Sequence, residues 1–173
     1  MNNIILIGMP AVGKSSIGVI LAKEIGYQFL DSDLLIQQRE GCLLKDILDS
    51  RGVEGVLRIE NDVNCSINTN RTVIATGGSA VYSREAMEHF KEIGTIIYLK
   101  TDFPVLEKRL GNLRGRGVVL KAGQTLKDIY LERCPYYEKY ADITVEENEK
   151  NIEETLQMIL RQLYSDESDS LRF

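Results

Sequence analysis

The sequence GMPAVGKSS, residues 8–16, matches the pattern G-x-x-x-x-G-K-[ST] at every required position. The match falls between a strand pattern and a helix pattern, where backbone N–H groups and the start of the helix can face phosphate oxygens. Lys14 is expected to neutralise charge on the β- and γ-phosphates, and Ser15 to bind Mg²⁺. We therefore expect a nucleoside triphosphate bound with Mg²⁺. The predicted contacts of the nucleotide in this loop are Ala11, Val12, Gly13, Lys14, Ser15 and Ser16.

Two aspartates follow the second strand pattern of the chain. The sequence LDSDLL, residues 30–35, places Asp31 and Asp33 at its end, and ligands bind at the carboxyl ends of strands in open parallel sheets. Because side chains alternate along an extended chain, we expect both aspartates on one side, with Asp31 near Mg²⁺ and Asp33 facing an acceptor hydroxyl. An acidic cap for the following helix is the alternative, and capping explains one aspartate easily.

A glycine pair ends the third strand pattern. The sequence ATGGSAV, residues 75–81, contains Gly77 and Gly78, where the backbone can approach a ligand closely because there is no side chain. An ordinary turn is the alternative for this segment taken alone. Together with the two preceding loops, the pair predicts a ring of strand ends around one crevice.

The segment 109–124, RLGNLRGRGVVLKAGQ, contains four glycines and three arginines. The glycines interrupt helical periodicity, and an arginine can stabilise charge on a transferred phosphoryl group. We expect a mobile lid that closes over the phosphates and excludes water. A patch that binds RNA is the alternative, but this chain is acidic, with a net charge of -5, and the segment lacks interleaved aromatic residues.

The elements that must position these loops alternate between strand and helix patterns. Apolar runs predict strands at 3–8, 27–33, 72–78, 94–100 and 142–146. Helical spacing of apolar residues predicts helices at 14–26, 34–50, 53–68, 83–92, 103–110, 125–139 and 150–164. This alternation is typical of an α/β fold with a parallel sheet of about five strands and helices on both faces. We expect one domain over residues 1–164 and a frayed polar tail at 165–173.

Composition limits the classes of partner and environment. The chain has 173 residues, of which 43% are hydrophobic, enough for one compact core, and its acidic charge argues against a nucleic-acid partner. Three separated cysteines indicate reduced thiols, and a single histidine, His89, cannot form a metal cluster alone. No stretch approaches the roughly 20 apolar residues of a membrane span. We expect a cytoplasmic monomer without membrane contact that acts on a small-molecule substrate.

In order along the chain, these motifs resemble those of the shikimate kinase family, and the resemblance covers nearly the full length. The matching segments are GMPAVGKSS for the phosphate loop, DSD for an Asp-x-Asp motif, ATGGS for a glycine motif, RGR for the lid arginine region, and ERCPYYEKYAD (132–142) for the segment with a substrate arginine. The resemblance implies a three-layer P-loop kinase fold. It also implies transfer of the γ-phosphate of ATP to the 3-hydroxyl of shikimate, in the pathway to chorismate and the aromatic amino acids.

The resemblance further implies roles for individual residues. Lys14 and Ser15 would serve phosphate and Mg²⁺, with Asp31 holding the metal through water. Asp33 would orient the acceptor hydroxyl and accept its proton, which makes it a catalytic residue together with Lys14 and the lid arginine. The remaining implied contacts are those of Gly77, Gly78 and Arg133 with the acceptor, of the lid residue Arg116 with phosphate, and of Arg109 with adenine.

Three departures from the family pattern concern the acceptor site and the lid. Ser79 stands where the family usually has a third glycine, and Gly117 stands where it usually has proline after the lid arginine. The third departure concerns Phe-Arg-x-x-Glu, whose arginine holds the carboxylate of shikimate in the family. Aligned on Glu60, this pattern places Leu57 at the arginine position, and Arg58 lies about 100° further round the helix.

An apolar stripe predicts which way this helix faces. Val56, Ile59, Val63 and Ile67 recur at helical spacing and are expected to face the core, which directs Arg58 toward solvent. A helix offset or an extra residue in the preceding turn would instead turn Arg58 toward the site. Three hypotheses therefore remain: a shikimate kinase, a relative that phosphorylates another small hydroxylated metabolite, and a regulator that binds nucleotide without an acceptor.

Overall fold

A computed structural model describes residues 3–110, 118–121, 123–148 and 150–170 of the chain. The strands are β1 (Asn3–Ile7), β2 (Gln28–Asp31), β3 (Thr72–Ala75), β4 (Gly94–Lys100) and β5 (Ile143–Glu146). The helices are α1 (Lys14–Ile25), α2 (Ser32–Glu40), α3 (Leu44–Ser66), α4 (Arg84–Ile93), α5 (Phe103–Arg109), α6 (Leu126–Tyr140) and α7 (Ile152–Ser170), with a short 3-10 helix at Ala80–Tyr82. The predicted lid arginine, Arg116, and Gly117 after it lie outside the described residues.

The strands form one sheet in the order β2-β3-β1-β4-β5, and every neighbouring pair is parallel. Each residue of the central strand β1 is buried. Because side chains alternate between the two faces of a strand, burial of every residue means that both faces are covered. The predicted α/β fold, with a parallel sheet of five strands between helices, is confirmed.

Helices on the sheet enclose the main hydrophobic core. α1 packs against α7 and β3, while α4 packs against α3 and β4. Leu21 of α1 and both Met87 and Phe90 of α4 lie in this core without exposed surface. Among the helices of the described residues, none is long and apolar enough to cross a membrane.

A second, smaller apolar cluster lies between α2 and α3, apart from the main core. The buried members of this small cluster are Ile36, Ile47, Val56, Ile59 and Val63. Val119 packs against it from the segment that precedes α6. Three residues of the predicted stripe belong to the small cluster, and Ile67 joins the main core. The predicted orientation of α3 is therefore confirmed.

The boundary between β2 and α2 differs from the prediction. β2 ends at Asp31, and α2 begins at Ser32, because Asp31 Oδ1 accepts hydrogen bonds from the backbone N–H groups of Asp33 and Leu34. A side chain that accepts these bonds caps the helix and starts it early. Asp33 therefore lies in the first turn of a helix, and the expectation that it follows Asp31 along an extended chain is wrong.

Glycines also change the predicted helices. The helix predicted over 34–50 is divided, because Gly41 ends α2 in the left-handed conformation, with φ of 70°. α3 then starts at Leu44 and is broken at Gly52, which has φ of 65°. At the other end of the chain, α7 runs to Ser170 and so includes part of the segment expected to fray.

Candidate active site

The loop between β1 and α1 has the backbone of a phosphate-binding site. It passes through positive φ at Ala11 (64°) and Gly13 (92°), and Gly13 directly precedes α1, whose first N–H groups lack helical partners. Lys14 is only 7% exposed, and its Nζ donates hydrogen bonds to the carbonyl oxygens of Gly8 at 2.8 Å and Met9 at 2.9 Å. The ammonium group is therefore held against the loop that is predicted to cradle the phosphates.

The two predicted magnesium ligands contact each other. Ser15 Oγ donates a hydrogen bond of 2.6 Å to Asp31 Oδ2, the carboxylate oxygen that does not cap α2. Mg²⁺ takes oxygen ligands and usually combines one or two protein groups with water and substrate phosphates. Among the described residues, no group of three or more Asp, Glu, His or Cys side chains could hold a metal ion. Ser15 and Asp31 supply two adjacent oxygens, which fits an ion whose other ligands are nucleotide phosphates and water.

A cavity of about 400 Å³, called here the acceptor cavity, opens beside the phosphate loop. Lys14 of α1, Asp33 of α2 and Arg133 of α6 all line it, together with Gly77 and Gly78. From the sequence, Lys14 was assigned to phosphate, Asp33 to the acceptor hydroxyl, and the other three residues to the acceptor itself. The structure brings all of them together around one space.

The charges of this cavity shift each other's protonation. Burial raises the pKa of Asp33 to about 6, with Asp31 adding to the shift and Lys14 opposing it. Burial lowers the pKa of Lys14 to about 8, while the negative charges of Asp33 and Asp31 raise it in part. At neutral pH, Asp33 is therefore mostly an ionised carboxylate that accepts a proton more readily than an exposed aspartate does.

The glycine pair lets the walls of the acceptor cavity come close together. A Cβ atom at Gly77 would collide with Glu60 Oε1 and would lie 2.8 Å from Asp33 Oδ1. A Cβ atom at Gly78 would lie 3.2 Å from Arg133 Nη1. A side chain at Gly77 would displace the carboxylates of Glu60 and Asp33, and one at Gly78 would clash with the ring of Pro10, so glycine suits both positions.

Arg133 is held rigidly although it is a large charged side chain with only 1% exposed surface. Its Nε donates to Tyr82 Oη at 3.1 Å, its Nη2 donates to the carbonyl oxygen of Val119 at 2.7 Å, and its guanidinium lies over the Tyr82 ring. No carboxylate of the described residues lies within ion-pair distance of it. Burial raises the pKa of Tyr137, while a hydrogen bond with Arg133 opposes the shift. A buried guanidinium without an ion-pair partner is costly, and this one lines the acceptor cavity, where an anion would stabilise it.

Comparison with known proteins decides the family. The family model described as "Shikimate kinase" matches residues 10–164. The chain belongs to the shikimate kinase family. The shikimate kinase of Bacillus cytotoxicus is 32% identical, over 95% of this chain and 100% of its own length. That of Thiobacillus denitrificans is 36% identical, over 84% of this chain and 81% of its own.

Solved structures of shikimate kinases have the same fold. The enzyme of Acinetobacter baumannii, solved in complex with shikimate, superposes with a TM-score of 0.87 at 30% identity and covers 96% of this chain and 94% of its own. The enzyme of Aquifex aeolicus superposes with a TM-score of 0.77 at 30% identity and covers 98% of both chains. The predicted three-layer P-loop kinase fold is thereby confirmed.

On α3, this chain departs from the shikimate kinase pattern. Leu57, which the sequence analysis aligned with the family arginine, is half-buried, and Arg58 is exposed, as the apolar stripe predicts. Both residues line an adjoining cavity of about 580 Å³, which shares Glu60 and Ser79 with the acceptor cavity, and neither lines the acceptor cavity itself. Among the described residues that line the acceptor cavity, Arg133 is the only arginine.

Glu60 belongs to the acceptor cavity, although the sequence analysis used it only to align the shikimate kinase pattern. It is 3% exposed, and Ser79 Oγ donates a hydrogen bond of 2.5 Å to its Oε2. Burial raises the pKa of Glu60 to about 7, while the hydrogen bond from Ser79 opposes the shift. The burial of Glu60 could have been predicted from its spacing, because Glu60 lies one helical turn after Val56, a member of the apolar stripe.

Other supports of the acceptor cavity have no signal in the sequence. Tyr82 holds Arg133 from the 3-10 helix, and Tyr137 Oη donates a hydrogen bond of 2.5 Å to the carbonyl oxygen of Gly78. These contacts join residues that are far apart in the chain. They depend on how α6 packs against the glycine loop, which a local pattern does not reveal.

A smaller cavity of about 170 Å³ lies against the phosphate loop. Five of the residues that line this cavity are ones that the sequence analysis assigned to the nucleotide: Ala11, Val12, Gly13, Ser16 and Arg109. Arg109 Nη1 donates a hydrogen bond of 2.7 Å to Glu147 Oε1, which fixes the guanidinium at the wall of this cavity. The contact of Arg109 with adenine stays a prediction. The position of Arg109 beside the phosphate loop agrees with that prediction.

Proposed function

We propose that this protein is a shikimate kinase, which transfers the γ-phosphate of ATP to the 3-hydroxyl of shikimate. The observation that carries the proposal is the single cavity lined by Lys14, Asp33 and Arg133. It combines a cation for the phosphate, a carboxylate for the attacking hydroxyl and a buried guanidinium for an acidic group, which suits a small hydroxylated acid. The similarity to an Acinetobacter baumannii enzyme solved with shikimate supports the same acceptor.

In the proposed reaction, Asp33 orients the acceptor hydroxyl and takes its proton. The hydroxyl oxygen forms a bond to the γ-phosphorus, the bond from this phosphorus to the β–γ bridging oxygen breaks, and ADP leaves with that oxygen. The pKa of Asp33, about 6, leaves the carboxylate free to accept the proton at neutral pH. Lys14 stabilises the charge that develops on the phosphate oxygens.

Ser15 and Asp31 are the proposed holders of Mg²⁺, since their oxygens already face each other at 2.6 Å. When bound with ATP, the ion neutralises phosphate charge. The backbone of the loop, with Lys14, binds the β- and γ-phosphates, and Arg109 packs against adenine. The remaining proposed loop contacts are those of Ala11, Val12, Gly13 and Ser16.

A lid over residues 109–124, with Arg116 reaching the transferred phosphate, completes the proposed site. Val118 and Val119, which belong to this segment, line the acceptor cavity, and this position supports closure above the acceptor. We also propose a cytoplasmic monomer. Its three cysteines are free, as expected for a reducing compartment.

Phosphoryl transfer from ATP tests the proposed function, measured with shikimate and with a panel of polyols and hydroxy acids. We expect turnover with shikimate to exceed that with every other compound of the panel. Absence of transfer to millimolar shikimate, with ATP binding intact, would contradict the proposal. Transfer to a different panel member would instead support a family relative with another acceptor, the second candidate, which the leucine at position 57 favours.

A further inference from the structure

Ser79 lies on the wall of the acceptor cavity and contacts a buried carboxylate. It is 6% exposed, and its Oγ donates a hydrogen bond of 2.5 Å to Glu60 Oε2. A serine hydroxyl has one proton to donate and two lone pairs. While that proton is directed at Glu60, Ser79 presents only lone pairs to the cavity.

Glu60 is able to change its protonation near neutral pH. Three charged groups face it: Asp33 from α2, Lys14 from α1 and Arg133 from α6. Among the described residues, neither cation lies within ion-pair distance, and Glu60 Oε1 has no hydrogen-bond partner. Burial without an ion-pair partner disfavours the charged form, and the pKa of Glu60 is accordingly about 7.

Ser79 and Arg133 are both on the wall of the acceptor cavity. Arg133 lines this cavity, and its guanidinium is fixed by Tyr82 and Val119. Nη1 is 3.2 Å from the point that a Cβ atom on Gly78 would occupy, and Ser79 is the next residue. Because Ser79 and Arg133 line the same cavity, we take a carboxylate paired with Arg133 to reach the hydroxyl of Ser79 as well.

We propose that Ser79 is a specificity residue of the acceptor site whose hydroxyl reverses its hydrogen bond when Glu60 takes up a proton. With Glu60 ionised, the lone pairs of Ser79 face the acceptor and repel a carboxylate. With Glu60 protonated, Glu60 donates to Ser79 Oγ, and the Ser79 hydroxyl donates to the carboxylate. This inference rests on the proposed function, since the carboxylate is taken to be that of shikimate, and it means that shikimate binds together with a proton from solvent.

Calorimetric titration of the intact protein with shikimate, in buffers that differ in ionisation enthalpy, tests this without any variant. We expect net proton uptake on binding above about pH 7, and a dissociation constant that rises about tenfold between about pH 6 and about pH 8, as the protonated fraction of Glu60 falls. The uncharged methyl ester of shikimate should bind weakly, with no such dependence. Binding of shikimate without proton uptake, at constant affinity, would overturn the proposal.

Two variants and one control distinguish the effect of the Ser79 hydroxyl on shikimate binding from direct repulsion by the charge of Glu60. Glu60→Gln should bind shikimate with an affinity that no longer depends on pH, because the amide donates to Ser79 throughout. Ser79→Ala should lose most of the dependence, to about twofold across the same range. Glu54→Gln, an exposed position of the same helix, should retain the full dependence. A full dependence in Ser79→Ala would show that the charge of Glu60 acts without the hydroxyl, and would overturn the role of Ser79.

Failure of the proposal about Ser79 and Glu60 is distinguishable from failure of the proposed function. If no phosphoryl transfer to shikimate occurs at any pH, the proposed function is wrong. If transfer occurs and the affinity for shikimate is constant between about pH 6 and about pH 8, only the role of Ser79 and Glu60 is wrong.

Discussion

Asp31 contacts both Ser15 and the start of α2. Its Oδ2 accepts a hydrogen bond of 2.6 Å from Ser15 Oγ, and its Oδ1 caps α2. The proposed magnesium site is thus attached to the start of the helix that carries Asp33. The same side chain orients Ser15, the proposed metal ligand, and fixes the start of the helix that carries the proposed base. A substitution of Asp31 is therefore expected to change both Mg²⁺ binding and the stability of α2, and two different variants separate these effects.

Replacement of Asp31 by asparagine should weaken Mg²⁺ binding while leaving the fold intact. Asparagine caps helices as well as aspartate does, but it lacks the charge that attracts the ion. We expect the concentration of Mg²⁺ for half-maximal activity to rise about 10- to 100-fold, with little change in melting temperature. Asp31→Ala is the comparison, because it should show the same metal effect plus about 1 kcal/mol of lost stability. Equal melting temperatures of the two variants would contradict the capping role.

Arg133→Lys should weaken acceptor binding, because lysine keeps a charge but cannot contact Tyr82, Val119 and the acceptor at once. We expect the KM for shikimate to rise about 10- to 100-fold, the usual scale for loss of a charge-assisted contact, with the KM for ATP nearly unchanged. Arg58→Ala is the control, since Arg58 is exposed and does not line the acceptor cavity. A large increase in KM from the Arg58 variant would show that α3 presents a different face to the acceptor.

Asp33→Asn should abolish most of the chemistry without loss of nucleotide binding. Asparagine is nearly isosteric but cannot take the proton of the acceptor hydroxyl, so kcat should fall about 10²- to 10⁴-fold. Direct binding measurements should give a dissociation constant for ATP close to that of the unchanged protein. Asp62→Asn, an exposed position on α3, serves as the control. A kcat reduced less than about fivefold in Asp33→Asn would exclude Asp33 as the base.

Glu60 should make the stability of the protein depend on pH. Its pKa in the fold, about 7, lies above the ordinary value of 4.5, so its contribution is fully present below about pH 4.5 and is lost as pH rises through about 7. Glu60→Gln never ionises and should therefore be more stable than the unchanged protein at about pH 8, by on the order of 2 kcal/mol. The difference should be much smaller at about pH 5. Chemical denaturation at the two pH values measures both differences, and a difference that does not change with pH would contradict the buried charge.

The strands and loops of this protein are predictable because their signals are local. β4 has the predicted bounds, since a strand buried on both faces is a continuous apolar run. The phosphate loop was found from its glycines and lysine, and the stripe on α3 correctly directed Arg58 away from the acceptor cavity. In these cases the spacing of a few neighbouring residues determines the backbone or the buried face.

The residues that were missed depend on contacts between distant segments. Glu60 is a charged helical residue, which is normally exposed, and its burial follows from Ser79 and Gly77 in a separate loop. The position of Asp33 was misjudged because the carboxylate of Asp31 competes for the backbone and starts a helix where alternation predicts extended chain. Local patterns thus located the site, while the state of its carboxylates required the packed structure.

The small cluster between α2 and α3 is a second apolar core, and its residues Ile36 and Val56 also line the acceptor cavity. The phosphate loop contributes Met9 and Val12 to the main core, whereas Glu60 lies on α3, which supplies four of the five buried residues of the small cluster. Regions with a separate, smaller core can open locally at lower free energy than the whole molecule. Substitutions on α3 should therefore change the preferred acceptor with little effect on ATP binding, whereas α2 is tied to the proposed magnesium site through Asp31.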